Sequence, residues 1–271
     1  MSGPDKVVIV TGGTFGIGRA ITLGLAARGH KVVAFGLETP QVSSIAESAI
    51  PELRQELQRR ELQADLLEAD VSSAADVARV TQLAIDRFGR IDGLVNNAAI
   101  GPLGTVLDTD EALFDKIVAV NLKGPYLTSR AVLPHMIRQG GGAIVNVGSG
   151  AGWGKPNMAV YSASKGGLVA LGTASAYDFL HHRVRINTVI PGGGGIVTGM
   201  SLGRVGGDRA RLGVGAPGTA AGRPATGDDI ANAVAFLLSA EAETISGTVI
   251  DVGCFAHQGG PVPTRPATAN G

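Results

Sequence analysis

The sequence predicts a single α/β domain built on an open, doubly wound parallel sheet of seven strands with helices on both faces. Short runs rich in Val and Ile alternate along the chain with segments of helical spacing. Aromatic residues make up only 4% of the 271 residues, so the core has to be built from Val, Ile, Leu and Ala, as in a parallel sheet buried on both faces. The 41 glycines cluster at strand ends and in short runs, which indicates tight turns and close backbone approaches.

The first element is an apolar run at residues 6–13 that ends in glycines, and helical spacing follows at residues 18–29. A strand, a glycine turn and a helix are therefore predicted in that order. The same alternation predicts six further strands at residues 31–35, 66–71, 92–97, 142–149, 184–192 and 248–253. Helical patterns between most of these strands predict right-handed crossovers within one sheet.

Three segments depart from this alternation. Residues 45–65 form a charged amphipathic stretch, which predicts a solvent-facing helix. Residues 192–226 are rich in Gly, Ala and Arg without strong periodicity and follow a strand end, which predicts a lid over a substrate. We expect one domain at residues 1–255 that includes this lid, and a tail at 256–271 that is flexible or lies at a subunit interface.

Charge and composition argue against several classes of function. Lys plus Arg and Asp plus Glu both number 23, so no basic surface is available to hold nucleic acid. Cys254 is the single cysteine, which excludes an internal disulfide. The first residues lack a secretory layout and no apolar run approaches the roughly 20 residues of a membrane helix, so a cytoplasmic protein without membrane contact is expected. None of the five histidines pairs with Cys or a carboxylate at a metal-ligand spacing, so no metal site is expected.

The glycine turn after the first strand has the composition of a phosphate-binding loop. Gly12, Gly16 and Gly18 stand in the stretch TGGTFGIG. Glycine lets the backbone turn sharply or approach a ligand, and the following helix N-terminus offers unpaired N–H groups to a pyrophosphate. Because the spacing G-x-x-x-G-x-G differs from the general dinucleotide fingerprint, the glycines alone also fit a tight turn without a ligand.

The stretch YSASK places a phenol, Tyr161, and an ammonium, Lys165, four residues apart, which is one helical turn. A free tyrosine has a pKa of about 10 and is a poor base at neutral pH. A neighbouring ammonium favours the phenolate and so lowers that pKa. The spacing therefore indicates a proton donor and acceptor, although an ordinary exposed pair has the same spacing.

With Asn121 and Ser149 added, the sequence resembles the short-chain dehydrogenase/reductase family over about residues 6–253. The matching pieces occur in family order: TGGTFGIG, ADV at 69–71, NNAA at 96–99, VNLKGPY around Asn121, IVNVGS ending at Ser149, YSASK, VRINTVIPGG, Thr-x-Met at 198–200 and GRPATGDDIANAVAFLLS. The resemblance implies a single-domain Rossmann fold. It also implies hydride transfer between a nicotinamide cofactor and a secondary alcohol or ketone.

The resemblance implies a role for each of four residues. Tyr161 is expected to be the general acid/base, and Lys165 also to hold the nicotinamide ribose. Ser149 is expected to donate a hydrogen bond to the substrate oxygen. Asn121 is expected to shape its helix so that a water can link Lys165 to solvent. Taken singly, Ser149 also fits a helix cap, and Asn121 a polar residue that satisfies backbone groups within a helix.

The resemblance further implies a set of cofactor contacts. Asp70 and Val71 are expected at the adenine, Asn97 and Ala98 at the ribose and nicotinamide, and residues 191–198 at the carboxamide. The complete expected set is Gly12, Thr14, Phe15, Gly16, Ile17, Gly18, Leu37, Glu38, Asp70, Val71, Asn97, Ala98, Ala99, Tyr161, Lys165, Pro191, Gly192, Ile196 and Thr198.

The residues after the second strand favour NAD over NADP. An acidic side chain there binds the adenine ribose hydroxyls and repels a 2′-phosphate, whereas Arg accepts it. Gly36 and Leu37 stand where the family carries its usual Asp or Arg. Glu38 lies 20 residues beyond Gly18, the spacing of an acidic ribose ligand, and Phe15 replaces a basic residue of many NADP-preferring members. NADP stays open, because Glu38 also fits a solvated turn residue.

The substrate is expected beyond the strand ends, under the predicted lid. The expected liners are Ser149, Ala151, Trp153, Met158, Tyr161 and Met200. Most of these are apolar, which favours a neutral, moderately hydrophobic alcohol or ketone, although Trp153 also fits a subunit interface. Family members are usually tetramers that associate through the helices bearing Asn121 and Tyr161, so a homotetramer is expected.

These observations predict an NAD-dependent dehydrogenase/reductase and leave alternatives. One is an NADP-dependent ketone reductase. Another is an epimerase or dehydratase that oxidises its substrate transiently, but such relatives have a longer C-terminal substrate region. The third is a non-catalytic NAD(P)-binding sensor or scaffold, which has no need of the four residues of the proton relay.

Overall fold

The computed structural model describes residues 5–38, 49–192, 196, 198–204, 206, 208–211 and 219–253. Their strands form one parallel sheet in the order β3-β2-β1-β4-β5-β6-β7. The strands are β1 (Val7–Thr11), β2 (Lys31–Gly36), β3 (Ala64–Glu68), β4 (Gly93–Asn96), β5 (Gly142–Val147), β6 (Val184–Pro191) and β7 (Val249–Val252). The predicted seven-stranded, doubly wound parallel sheet is confirmed.

Helices cover both faces of this sheet. They are α1 (Gly16–Ala26), α2 (Ala49–Arg59), α3 (Ala74–Phe88), α4 (Glu111–Val118), α5 (Gly124–Arg138), α6 (Ala159–Asp178), α7 (Gly199–Arg204) and α8 (Gly227–Leu238). Buried side chains of α1, α2 and α8 form one apolar cluster with the sheet, and those of α3, α5 and α6 form a second. The chain therefore has three layers, with the sheet between two layers of helices.

Strand β1 shows why the strands read as continuous apolar runs. Val8 and Val10 belong to the cluster with α1 and α8, whereas Val7 and Ile9 belong to the cluster with α3 and α5. Successive side chains of a strand point to opposite faces, and here both faces are covered by helices, so the four positions from Val7 to Val10 are all apolar.

The order of the strands fixes where a ligand can bind. β1 pairs with β2 on one side and with β4 on the other, so the direction of winding reverses at β1. At such a point the connections leave the carboxyl ends of neighbouring strands in opposite directions and open a crevice between them. The glycine turn after Thr11 and the NNAA turn after Asn96 border this crevice.

The boundaries predicted around residues 45–65 were wrong at their C-terminal end. α2 ends at Arg59 because Glu61 adopts the left-handed region, with φ +54°, and the N–H of Leu62 donates to the carbonyl of Leu57 at 2.9 Å. The chain then enters β3 at Ala64, two residues earlier than predicted, because Leu62 and Ala64 pack partly against the core.

The predicted lid falls partly, and the predicted tail wholly, outside the residues described. Within 192–226 the structure contains helix α7 and a 3-10 turn at Arg209–Arg211. The tail at 256–271 lies beyond the described residues. Among the helices that the structure describes, none is both long enough and apolar enough to cross a lipid bilayer.

Two basic side chains, one in β6 and one directly before β1, hold the C-terminal end of α8. Arg185 of β6 donates to the carbonyl oxygens of Leu237 at 2.7 Å and Ser239 at 3.1 Å. The ammonium of Lys6 donates to the carbonyl oxygen of Leu238. The last carbonyls of a helix have no partner within it, and cations there also complement the negative end of the helix dipole. These contacts fix α8 to the end of the sheet opposite the crevice.

We expect the substitution Arg185→Leu to lower the free energy of unfolding by about 2 kcal/mol, because it leaves partly buried carbonyl groups without a donor. Urea denaturation measures the change. Arg54→Leu, at an exposed position of α2, is the control and should change the free energy by less than about 0.5 kcal/mol. Equal effects of the two substitutions would contradict the capping role of Arg185.

Candidate active site

The glycine turn and the NNAA turn are joined by hydrogen bonds across the crevice. The side-chain amide of Asn97 donates to the carbonyl oxygens of Thr11 at 3.1 Å and Gly12 at 3.0 Å. In return, the hydroxyl of Thr11 accepts from the backbone N–H groups of Asn97 at 3.0 Å and Ala98 at 2.9 Å. The carboxyl ends of β1 and β4 therefore form one rigid unit, and they bring together three of the predicted cofactor residues.

The glycines of the turn are required by its own packing. Gly12 and Gly16 have φ of +58° and +55°, a region that side chains other than glycine rarely adopt. A Cβ at Gly18 would lie 2.0 Å from the carbonyl oxygen of Gly12. Helix α1 begins at Gly16 after an extended Phe15 whose side chain makes no capping bond. The N-terminal N–H groups of α1 are thus left without a capping side chain.

Four other predicted cofactor residues lie after β1, at the start of α1 and after β2. Thr14 is buried, and a Cβ added at Gly36 would lie 2.8 Å from its hydroxyl oxygen. Leu37 and Glu38 directly follow β2 and are exposed. Ile17 packs partly against the core cluster of α1 and α8. The side chain of Glu38 is therefore exposed to solvent at the edge of the crevice.

The residues predicted at the adenine make contacts within the protein. A carboxylate oxygen of Asp70 accepts from the N–H of Ser72 at 2.8 Å and from its hydroxyl at 2.7 Å. Val71 is buried, and a Cβ at Gly124 would lie 3.0 Å from one of its methyl groups. Asp70 thus shapes the turn after β3, and Val71 packs that turn against the start of α5.

Asn121 lies on a π-helical turn, Ala119–Lys123, inserted between α4 and α5. Its side chain is fully buried. The amide oxygen accepts from the N–H of Ile100 at 2.9 Å, and the amide nitrogen donates to the carbonyl of Ile100 at 2.8 Å and the hydroxyl of Ser164 at 3.1 Å. π-turns within helices occur frequently at functional sites. The sequence pattern gave no signal for this turn.

Ser149 follows β5 and begins a short 3-10 helix, Gly150–Trp153. Its hydroxyl accepts from the N–H of Ala151 at 3.2 Å, so it caps this helix while it stands at the carboxyl edge of the sheet. The 3-10 helix lies against α6, because a Cβ at Gly166 would stand 2.8 Å from the carbonyl oxygen of Gly152. The two glycines let the Ser149 turn approach the helix that carries Tyr161.

Tyr161 and Lys165 both lie on α6 and are buried, with exposed fractions of 6% and 2%. The Lys165 ammonium lies 6.0 Å from the centre of the Tyr161 ring and donates to the carbonyl of Val147 at 2.8 Å. Burial lowers the pKa of Lys165 from 10.5 to about 8. The phenol and the ammonium predicted to share a helical face therefore do so, beneath the carboxyl end of β5.

The predicted substrate liners divide into a buried group and one exposed residue. The buried apolar group consists of Ala151, Met158 and Tyr161. Met200 of α7 packs against this group. Trp153 is 45% exposed. The structure thus supplies an apolar wall beside Tyr161, and Trp153 is not part of it.

Residues predicted at the carboxamide lie between β6 and α7. Thr198 caps α7 by accepting the N–H of Ser201 at 2.9 Å, and a Cβ at Gly16 would lie 3.3 Å from its methyl group. Ile196 packs partly against the core. Pro191, Gly192 and Ala99 are partly buried. The start of the predicted lid therefore lies directly over the glycine turn.

Direct contacts join some of the predicted residues and leave others apart. Asn121 reaches Tyr161 through Ser164, and Lys165 reaches the end of β5 two residues before Ser149. Sequence reasoning missed Ser164 and Ile100, although Ser164 stands inside YSASK. In the part of the chain that the structure describes, no three His, Cys, Asp or Glu residues lie close enough to hold a metal ion.

Comparison with known proteins finds a family match and relatives that cover most of this chain. The family model for short chain dehydrogenase matches residues 6–203. The 2-(S)-hydroxypropyl-CoM dehydrogenase 3 of Xanthobacter autotrophicus is 38% identical over 264 residues, which cover 94% of this chain and 96% of the relative. Levodione reductase of Leifsonia aquatica is 35% identical over 264 residues, with 92% of each chain covered.

Solved structures agree with these relatives. The crystal structure of levodione reductase superposes with a TM-score of 0.79 at 33% identity and covers 92% of this chain and 96% of that chain. A structure from Burkholderia xenovorans described as a short-chain dehydrogenase/reductase gives a TM-score of 0.80 at 29% identity, with 94% and 98% covered. The family match and the named dehydrogenases and reductases show that this chain belongs to the short-chain dehydrogenase/reductase family of nicotinamide-dependent oxidoreductases acting on CH–OH groups.

Proposed function

We propose that this chain interconverts a secondary alcohol and a ketone with NAD, and that Tyr161 is the general acid/base. The observation that carries the proposal is the position of the Tyr161 phenol beside the buried Lys165 ammonium. A phenol needs such a cation to act as a base near neutral pH, because the positive charge favours the phenolate. A protein that only bound a dinucleotide could use Lys165 for the ribose but would have no use for a general acid/base beside it.

The residues of the glycine turn fit a dinucleotide. The left-handed glycines allow close approach of the backbone, and the N-terminus of α1 offers N–H groups without a capping side chain. Gly12, Gly16 and Gly18 would hold the pyrophosphate, and Lys165 the nicotinamide ribose. When bound, the nicotinamide supplies or accepts the hydride.

The side chains of the site account for the proton. In ketone reduction, the Tyr161 hydroxyl gives its proton to the oxygen that becomes the alcohol, and in oxidation the phenolate takes that proton back. Ser149, at the start of the 3-10 helix, would donate a hydrogen bond to the same oxygen. The Lys165 ammonium, which is bonded to the end of β5, would favour the phenolate of Tyr161 by its positive charge.

NAD is favoured by the residues after β2. Glu38 is exposed at the edge of the crevice, where a carboxylate accepts hydrogen bonds from ribose hydroxyls and repels a 2′-phosphate. Gly36 contributes no side chain, and its neighbour Thr14 occupies the space beside it. Leu37 offers no positive charge to a phosphate.

The apolar wall beside Tyr161 favours a neutral, moderately hydrophobic substrate. Ala151, Met158 and Met200 belong to it, and all three are apolar. The names of the two relatives describe oxidation of an alcohol and reduction of a ketone. The start of the lid, at Thr198 and Met200, would cover this substrate from the side of the glycine turn.

The expected homotetramer is supported by an apolar groove on the outer side of the Asn121 and Tyr161 helices. The groove is lined by Val118, Leu122, Lys123, Tyr126, Gly167 and Leu171. Leu122 packs closely on Gly167, where a Cβ would lie 3.3 Å from its methyl carbon. Association through this groove would bury these residues.

The substitution Tyr161→Phe tests the general acid/base. We expect kcat to fall by about 10²–10⁴, the usual contribution of a positioned acid/base, while the Kd for NADH changes by less than about twofold. Steady-state kinetics with levodione and other ketones, together with NADH titration, measure the two quantities. Tyr177→Phe, an 84% exposed tyrosine of the same helix, is the matched control. Unchanged turnover of Tyr161→Phe would remove Tyr161 from the mechanism.

Cofactor preference is measured by energy transfer from Trp153, the single tryptophan, to reduced nicotinamide. We expect NADH to bind at least about tenfold more tightly than NADPH, because Glu38 repels the additional phosphate. The variant Glu38→Ala should narrow this difference, and Glu111→Ala, an exposed residue at the start of α4, should leave it unchanged. Preference of the native chain for NADPH would overturn the assignment of NAD.

The burial of Lys165 has a consequence for stability in the absence of cofactor. Between about pH 8 and pH 10.5 the unfolded chain keeps a proton that the folded chain releases, so stability from this residue rises with pH. Over this window wild type should gain about 3 kcal/mol relative to Lys165→Met. Chemical denaturation at pH 7, 8, 9 and 10 measures the difference, with Lys155→Met as an exposed control. A difference that does not vary with pH would show that Lys165 is not desolvated.

A further inference from the structure

We propose that Ser164 is a positioning residue of the active site, which holds Tyr161 in place against the side chain of Asn121. The inference rests on the proposed function, because it gives Ser164 its effect through the general acid/base of that reaction. It concerns the second serine of YSASK, which the family resemblance leaves without a role.

The hydroxyl of Ser164 both donates and accepts a hydrogen bond. It donates to the carbonyl oxygen of Tyr161 at 2.7 Å and accepts from the side-chain nitrogen of Asn121 at 3.1 Å. The residue is 2% exposed, so water does not compete for these bonds. A serine hydroxyl has a single proton, and the bond to Tyr161 therefore fixes which way the oxygen faces Asn121.

The side chain of Asn121 uses its oxygen and both of its N–H groups in hydrogen bonds, so its position is fixed. Its oxygen accepts from the backbone N–H of Ile100, and its two N–H groups serve the carbonyl of Ile100 and the hydroxyl of Ser164. Ile100 directly follows the NNAA turn that borders the cofactor side of the crevice. A chain of hydrogen bonds thus runs from the NNAA turn through Asn121 and Ser164 to the backbone of Tyr161.

The first turn of α6 is stabilised by few other contacts of its own helix. Helix α6 begins at Ala159, and the residue before it, Met158, makes no side-chain capping bond. Tyr161 is the third residue of the helix, in the turn whose N–H groups have no partner within the helix and whose backbone frays most readily. The bond from the Ser164 hydroxyl to the Tyr161 carbonyl ties the backbone of this turn to the next turn of α6. It thereby holds the position of Tyr161 relative to Lys165.

The chain supplies a matched comparison within the same five residues. Ser162 is also buried, with 8% exposed, but its hydroxyl has no hydrogen-bond partner among the described residues. Replacement of Ser162 by alanine removes the same atom from the same helical turn and leaves no other group unsatisfied. Replacement of Ser164 leaves an N–H of Asn121 buried without an acceptor, so only the second change should disturb the site.

The ionisation of Tyr161 provides a readout that needs no substrate. The chain has three tyrosines, so Tyr126→Phe and Tyr177→Phe together leave Tyr161 as the one phenol. Absorbance near 295 nm, followed against pH, then reports the phenolate of Tyr161, with a midpoint that belongs to the Tyr161–Lys165 pair. In this background, Ser164→Ala should raise the midpoint by about one unit, because the phenol moves away from the ammonium.

Three further variants separate positioning from general damage to the helix. Ser162→Ala should leave the midpoint unchanged. Ser164→Thr keeps a hydroxyl that bonds to a carbonyl of the preceding turn. Its midpoint should therefore lie close to that of the chain with Ser164 intact. Asn121→Ala removes the other end of the bond together with the two bonds to Ile100, so Ser164→Ala should shift the midpoint little further when it is added to Asn121→Ala. Alanine favours helix more than serine does, so far-UV circular dichroism should show α6 retained in Ser164→Ala.

Kinetics give the corresponding result in the reaction. With a ketone that the enzyme reduces, Ser164→Ala should lower kcat about tenfold, as expected for a misplaced reacting group, and leave KM for the dinucleotide unchanged. A midpoint of Ser164→Ala equal to that of Ser162→Ala, or effects of Asn121→Ala and Ser164→Ala that add, would overturn the positioning role. If Tyr161→Phe keeps its turnover, the proposed function fails, while the titration still decides whether Ser164 positions Tyr161.

Discussion

The burial of the Lys165 ammonium is the constraint on which the candidate site depends. A charged amine loses its hydration when it leaves water, and here burial lowers its pKa to about 8. Its hydrogen bond to the carbonyl of Val147 ties the end of the YSASK segment to the end of β5. Because β5 lies between β4 and β6 in the sheet, the position of the cation is set by strand register and not by a surface loop.

Close backbone approaches make this arrangement possible. Gly12 and Gly18 let the glycine turn fold on itself beside Asn97, and Gly152 and Gly166 bring the Ser149 turn against α6. Each pair has a Cβ position that would collide with a neighbouring backbone atom. The high glycine content is thus explained at specific contacts, which are those that assemble the crevice and the Tyr161 helix.

The fold followed from the sequence because most of its strands are apolar runs and several end in glycine, so the number of strands and their positions along the chain were readable. The end of α2 was not, since helical spacing continues past Glu61 and nothing in the letters indicates a left-handed residue there. Site residues were readable as spaced motifs. The π-turn under Asn121 and the different surroundings of Ser162 and Ser164 depend on tertiary contacts, which a single sequence does not reveal.

The central claim is that one oxygen of the substrate meets Tyr161 and Ser149 while the dinucleotide lies on the glycine turn. A crystal structure of the chain with NADH and a ketone that it reduces tests this claim most directly. We expect the ketone oxygen within hydrogen-bond distance of both hydroxyls and the pyrophosphate at the N-terminus of α1. A ketone oxygen distant from Tyr161, or a dinucleotide bound outside the crevice between β1 and β4, would contradict the account.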